Sequence, residues 1–578
     1  MAAERRQADE SPRQRMLSLL ASLDLDLANW RGQWQDVEQF IAPGAARFSL
    51  SEHNRGKKRR QKIVNNSATV ASRIFRAGMH SGITSPARPW FRLGTGDPTL
   101  DAYAPVKRWL HVVAQNMRTL FLRSNLYNGL PSLYGDIGDF GIGAVAVQED
   151  LRDGLRVFNF PVGSYRVAAN GDGRIDTFIR PHMLTVRQIV DRYGRLDERT
   201  GRADWSNIST TVRHQYDSGN YTALHEVVHA ICPNPEFDPR RADARHKRYA
   251  SYHFERANVD DAQQLLRRSG YDEFPVLVPR WEVIGEDVHG SRYPGEMALG
   301  DAMSLQTLER RKAQAIEKMV RPPLMGPGAL RNAKVSTLPD DITYVDVREG
   351  LQGLRPIYEV NPRVQELMLD IEAHEQRIHR AYFADLFLMM AMSDRRQITA
   401  REINERHEEK LLMLGPVLER LNDELLDPLI DLAFRLMLAQ DIDGNLVPPP
   451  PQELEGRELR VEYISIMAQA QKLVAIGGIE RFSGYVGNLA GVDPTALDKV
   501  NIDKAIDVYA DITGVDPELV RSDEEAAAIR EQRAQAQQQA EQMAALQQGA
   551  QGAKLLSEAD TSGDNALTRL LASAGAPT

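Results

Sequence analysis

The chain has 578 residues, one cysteine and a formal net charge of -9, enough length for about four structural units at roughly 150 residues each. With hydrophobic residues at 42% and charged residues at 26%, it is not wholly disordered, collagen-like or membrane-embedded. The lone Cys232 excludes a disulfide framework and paired-thiolate metal sites, and the acidic balance argues against tight DNA binding without excluding DNA that passes transiently.

Met16, Leu19, Leu20, Leu23, Leu27, Trp30, Trp34, Val37 and Ile41 form an apolar stripe that predicts a long amphipathic helix, stopped by Ala42-Pro43-Gly44. Asp24 and Asp26 interrupt its apolar stretch, so no signal-peptide core is expected there. The densest apolar run, Leu386–Met392, is too short for a bilayer, and no membrane partner is expected. The basic run Arg55–Lys62 reads as a solvated loop or a phosphate-binding patch, and a second helix is predicted from Asn66 through Phe75.

Between Gly138 and Trp281 the pattern changes to short β-rich runs separated by Gly, Asn, Asp and Pro, which predicts antiparallel strands. Asn170-Gly171-Asp172-Gly173 is a hairpin-turn signal, because these residues tolerate positive φ. Helix returns after Pro294-Gly295, with Leu299, Ala302, Leu305, Ala313, Ile316 and Val320 on one side, and ends at Pro322-Pro323. Residues 321–360, rich in Pro and Gly with a β pattern at Ile342–Val347, read as an excursion between two long helices.

The second of these helices has Asn361 as N-cap, Pro362 at its first position and a stripe of Val364, Leu367, Ile371, Ile378 and Tyr382. A further helix is expected from Thr399, where Glu402 completes a capping box and Ile398 and Ile403 form a staple, with a kink near Gly415-Pro416 and an end near Gln440. Pro448–Pro451 reads as a stiff connector, followed by a helical segment at Tyr463–Ile476 and two short Asp-Pro-bounded helices. The Ala/Gln tract Glu524–Gln551 is either a helix stacked on identical neighbours or a frayed tail, and the last residues read as disordered on their own.

His225-Glu226-Val227-Val228-His229 matches H-E-x-x-H, whose two His share a helical face when they bind zinc. Here β-branched, alternating neighbours and Pro233 and Pro235 predict a strand, which separates the two His by roughly 13 Å, too far to share one ion even with Glu255 as a third ligand. Cys232 reads as structural, and Asp441–Asn445 and Asp560–Asp564 as turns rather than calcium loops. No nucleophile elbow, Walker A loop or dinucleotide fingerprint is present. The expectation is a structural protein rather than an enzyme, with no catalytic residue, cofactor or metal; the rival is a zinc-dependent hydrolase. Arg395 and Arg396, in the connector LMMAMSDRRQI, could form a phosphate-contacting ring in a symmetric assembly, or simply cap a helix. Glu309-Arg310-Arg311-Lys312 could line a channel or be a solvated face.

The order of Trp34–Pro43, NNSATVASRIFRAGMHSGITSPARPWFRL, Ser124–Tyr127, GDFGIG at 138–143, Phe160–Gly173, YPGEMALGDAMSLQTL at 293–308, Val320–Pro323, ITARE at 398–402 and Leu414–Pro428 resembles the portal proteins, or head-to-tail connectors, of T7-like short-tailed bacteriophages. The resemblance covers roughly residues 14–475. It implies a fold that is mainly α with an inserted antiparallel β region (α+β), assembled as a ring, usually dodecameric, at one capsid vertex of the virion after synthesis in the host cytoplasm. It implies a wing over 1–295, stem helices over 296–320 and 361–387, a clip over 321–360 and a tunnel loop over 388–398. A long wing helix over 399–445 and a crown with a flexible tail over 446–578 complete the assignment. The implied partners are further copies of the chain, the terminase large subunit, tail adaptor and tail tube proteins, major capsid and scaffolding proteins, and double-stranded DNA during packaging and ejection. Arg395, Arg396, Lys312 and Lys318 become the candidate DNA-channel residues. Another tail or connector component of the virion is the alternative within that class.

Overall fold

The computed structural model describes residues 11–50, 62–87, 89–101, 103–196, 203–258, 264–321, 324–325, 355–356, 364–392, 414–440, 446–454, 459–463, 482–489, 491, 499–513, 520–521 and 523–558. The chain divides into two compact units, one of residues 1–98 with 109–471 and one of 99–108 with 472–578, fewer than the length alone suggests.

The larger unit opens with α1, Pro12–Phe40, started by a capping box in which the Ser11 hydroxyl accepts from the Gln14 N–H and the Gln14 side chain accepts from the Ser11 N–H. Helix α2, Ser67–Ile83, begins where its pattern predicts, just after Asn66, whose side chain makes no capping hydrogen bond. After a short strand β1, Phe91–Gly94, come α3, Ala104–Arg123, and α4, Leu126–Phe140, which ends on left-handed Gly141. Three strands then form one antiparallel set: β2, Ala144–Asp150, pairs on one edge with β3, Gly154–Phe160, and on the other with a two-residue strand near Val276.

The five-stranded sheet is built from β4 (Arg166–Ala169), β5 (Ile175–Thr185), β6 (Leu224–Pro233), β7 (Tyr249–Glu255) and β8 (Arg267–Tyr271), in the spatial order β8-β7-β6-β5-β4 and antiparallel throughout. The hairpin turn between β4 and β5 is the predicted one: Gly173 has φ +78°, and its N–H reaches Asn170 O at 3.0 Å. Helix α5, Val186–Tyr193, and helix α6, Thr210–Asp217, connect β5 to β6. Met16, Leu20 and Leu23 of α1 cover one sheet face, packing on Val228, Ala230, Cys232 and Phe254. Ile189, Val190 and Val212 cover the other, packing on Val227. Strand alternation therefore sends successive residues of β6 into two different cores.

Beyond the sheet run α7, Pro294–Val320, and α8, Val364–Ala381, packed together. Leu324–Met325 pairs antiparallel with Arg355–Pro356, so the excursion closes on itself between the two helices; the Ile342–Val347 pattern and the Asn361–Pro362 cap lie outside the described residues. Helix α8 is not continuous to residue 387. It breaks at Phe383, which sits at φ +52°, and α9, Ala384–Met392, carries helix into the range expected to be a loop. Thr399 and its capping box, the basic run through residue 61, and Asp441–Asn445 are outside the described residues.

Helical residues 414–421 lead into a π-turn, Asn422–Leu426, and then α10, Asp427–Gln440. The irregularity falls at 422–426 because Pro428 has no N–H to offer the carbonyl four residues back and its ring crowds that carbonyl; widening the turn relieves both. A last strand, β9, Arg460–Tyr463, pairs with β1 in the register Phe91↔Tyr463, so Tyr463 ends a strand where a helix was expected to begin. In the smaller unit are α11, Ile502–Thr513, and α12, Asp523–Glu558, an exposed helix that spans the Ala/Gln tract and holds Asp503 through Arg530 at 2.6 Å. Among the described residues no helix is long and apolar enough to cross a membrane.

Candidate functional site

The HEVVH run lies in β6, and its side chains are engaged separately. His225 Nε2 is 2.7 Å from Gln215 Oε1, Glu226 pairs with Arg256 at 2.8 Å, and His229 Nε2 is 3.0 Å from Ser251 Oγ. Glu255 accepts from the Ser209 N–H at 3.0 Å and from its hydroxyl at 2.6 Å. His229 instead stacks on His253 of β7, ring centroids 3.9 Å apart. Desolvation, then the charges of His253, His182 and nearby arginines, holds His229 well below the usual imidazole range, and burial, with nearby arginines and His182, brings His253 down to about 3. The run is strand core, as its alternation predicts. Cys232 packs against Met16 on the α1 side, its thiol pushed by burial up to about 11.

The chemistry that organises the helices centres on Asp139 and on Asn65. Asp139 is fully buried; one carboxylate oxygen accepts from Tyr382 OH at 2.8 Å, the other from Ser72 Oγ at 2.9 Å and Arg76 at 3.5 Å. Burial raises its carboxyl, opposed by Arg76 and these hydrogen bonds, and raises neighbouring Asp136 further. This network ties α2 and α4 to the end of α8, next to the break at Phe383. The glycines around it are required by closeness: a Cβ at Gly78 would overlap the Phe387 ring, and one at Gly138 the Phe75 ring.

The second cluster joins α7 and α8 through the strip before α2. Gln306 Oε1 accepts the N–H groups of Val64 and Asn65 at 2.7 and 2.9 Å, and Asn65 Nδ2 reaches Glu309 at 3.2 Å and Glu375 at 2.8 Å. Asp301 lies 2.7 Å from His374 Nδ1 and accepts from Arg377 at 2.8 Å. Apart from Glu309, these residues were not singled out from sequence. Their only advance signal is that NNSATV and ALGDAMSLQTL are polar at positions the apolar stripes leave open.

The candidate channel cations separate. Lys312 bonds Glu309 at 2.6 Å, one turn back on the same helix, so its charge is met locally. Lys318 is exposed in the last turn of α7, where a cation also complements the helix dipole. Six positions apart, they lie about 120° apart around the axis. Arg310 donates to Lys62 O at 2.9 Å. Arg395 and Arg396 lie outside the described residues.

The lower part of the helix pair exposes apolar side chains among charged ones such as Arg311, Glu317, Lys318 and Glu366. Ile316, Met319 and Val320 are 43%, 49% and 73% exposed, and Met368 and Leu369 on α8 are 57% and 66% exposed.

The family described as bacteriophage head to tail connecting protein matches residues 13–520. The chain belongs to that family. It is 46% identical over 568 residues to the portal protein of Salmonella phage epsilon15, covering 98% of this chain and 99% of that one. It is 42% identical over 561 residues to the probable portal protein of Bordetella phage BPP-1, covering 97% and 98%. Membership gives the paired helices and their polar cross-links a setting: the function is that of a portal joining phage head and tail, and its place is the virion vertex where the two meet.

Proposed function

We propose that the chain assembles with copies of itself into a closed, dodecameric ring whose paired helices form a tube for double-stranded DNA during packaging and ejection. The observation that carries this reading is the exposed apolar end of α7 and α8. Five large apolar side chains on two helices whose upper halves are packed and cross-linked are costly in water and call for a neighbour. Head-to-tail contacts between copies supply one and close around an axis.

In this reading residues 1–295 form the wing, 296–320 and 361–387 the stem, 321–360 the clip that meets the terminase large subunit and then tail adaptor and tail tube proteins, 388–398 the tunnel loop, 399–445 the long wing helix and 446–578 the crown. Major capsid and scaffolding proteins meet the outer surface during head assembly. The work is mechanical, with no covalent step. Of the four candidate cations, Lys318 is exposed and would face a lumen, Lys312 is held by Glu309, and Arg395 and Arg396 would join Lys318 in this reading. Negative-stain microscopy with native mass measurement tests the assembly: annular particles with an open centre are expected, and a monodisperse monomer over a wide concentration range overturns it.

A further inference from the structure

Beside the edge strand β4, a cleft of about 490 Å³ is lined by four arginines, Arg47, Arg166, Arg180 and Arg256, with Phe48 and Met183 among its apolar walls. In a chain with net charge -9 this concentration of cation is local. Two of the four are neutralised: Arg166 donates to Asp24 at 2.6 Å and Arg256 to Glu226 at 2.8 Å. Arg47 gives hydrogen bonds to the Gly44 and Ala46 carbonyls at 2.7 and 2.8 Å.

Arg180 differs from the other three. Its guanidinium lies over the Phe158 and Phe160 rings, 5.1 and 4.8 Å from their centroids, and it meets no carboxylate among the described residues. Its Nε is buried without a hydrogen-bond partner. Burial and the charge of Arg192 bring it down to about 10, so it remains a cation at neutral pH. A desolvated guanidinium with no counter-ion is an unfavourable arrangement that an arriving anion relieves.

A guanidinium buried over two aromatic rings is less open to a phosphate held on a duplex surface than an exposed cation is. A compact oxyanion can enter. The apolar walls at Phe48 and Met183 favour an anion carried on a chain with apolar neighbours over a fully hydrated free ion. We propose that the cleft is an oxyanion-binding site centred on Arg180, taking an aspartate or glutamate carboxylate on an extended acidic segment of another polypeptide. This goes beyond the ring reading and does not depend on it.

The test uses the full-length protein and a fluorescent, N-acetylated peptide alternating Glu and Leu, followed by anisotropy. Saturable binding is expected, at least tenfold weaker for Arg180→Gln, unchanged for Arg187→Gln on the exposed side of α5, and absent when every Glu of the peptide is Gln. Inorganic phosphate should compete only at far higher concentration. If wild type fails to bind the Glu peptide, or Arg180→Gln binds it equally well, the proposal is overturned; phosphate binding tighter than the peptide overturns the polypeptide source and assigns the site to the free ion. A benzophenone-bearing version of the peptide, cross-linked to wild type, gives a readout independent of any variant's folding. Labelling of Phe48 or Met183 is expected, and labelling confined elsewhere sinks the idea.

Discussion

In the five-stranded sheet both faces are covered by the chain's own helices, and Val227, Val228 and Phe254 are fully buried. In α7 the same kind of apolar spacing buries Ala298, Ala302 and Leu305 in its first half and leaves Ile316, Met319 and Val320 exposed in its second. One region is covered by its own chain; the other leaves its apolar side chains exposed, and in the proposed ring a neighbouring copy covers them. Apolar periodicity alone does not distinguish these cases, because it records which face wants burial and not which molecule supplies the cover.

The largest expected effect separates the regions outright. Ile316→Lys with Val320→Lys should abolish ring assembly, read by native mass, while far-UV circular dichroism and the melting of the sheet stay unchanged; coupled loss of both would erase the distinction. Next is the tie that anchors the segment after the sheet to the π-turn. Arg280 donates to Glu424 from its backbone N–H, Nε and Nη2 at 2.6 to 3.3 Å, with the arginine side chain nearly inaccessible. Glu424→Ala leaves that guanidinium buried and unpaired and should cost about 3–5 kcal/mol in denaturant unfolding.

Acid should move the sheet and the α2–α4 helices in opposite directions. His253, at about 3 in the fold against 6.5 free, and His229, also depressed, take up protons more readily when the sheet opens. Sheet stability is then full above 6.5 and declines as pH falls from 6.5 towards about 3. Asp136 and Asp139 are raised above 3.8, so their contribution improves as pH falls through their folded values. Hydrogen exchange corrected for intrinsic rates should show β6 and β7 losing protection between pH 7 and 5 while α2 and α4 do not; parallel loss in both contradicts this. The smallest effect concerns the cover itself: Thr185→Ala removes the hydroxyl that accepts the Gln188 N–H at 3.2 Å and should cost about 1 kcal/mol, seen in thermal melts.

Much of this fold was legible locally. The α1 stripe, the Asn66 start, the hairpin at Asn170–Gly173 and the strand character of HEVVH each rest on near neighbours in sequence, and the structure agrees. The misses have tertiary causes. β8, RRSGY, lacks alternation and is held by pairing to β7. β1 and β9 find each other across most of the chain, which no window detects. The break at Phe383 has neither Gly nor Pro; it coincides with Tyr382, whose hydroxyl is drawn to Asp139. For the site, the Glu309–Lys312 spacing was present in ERRK and already implied a local partner for that lysine, whereas the carboxylate cradle at Asp139 depends on three helices meeting.

The β1–β9 ladder also sets an order in time. Phe91 leaves the ribosome long before Tyr463, and at about 5–20 residues per second the wait is roughly 20 to 70 s. Trp109 likewise waits for the Pro448 carbonyl, and Arg280 for Glu424. The larger unit therefore cannot finish folding on a nascent chain until most of its own sequence has emerged, so in the proposed ring the copies would meet late and nearly complete.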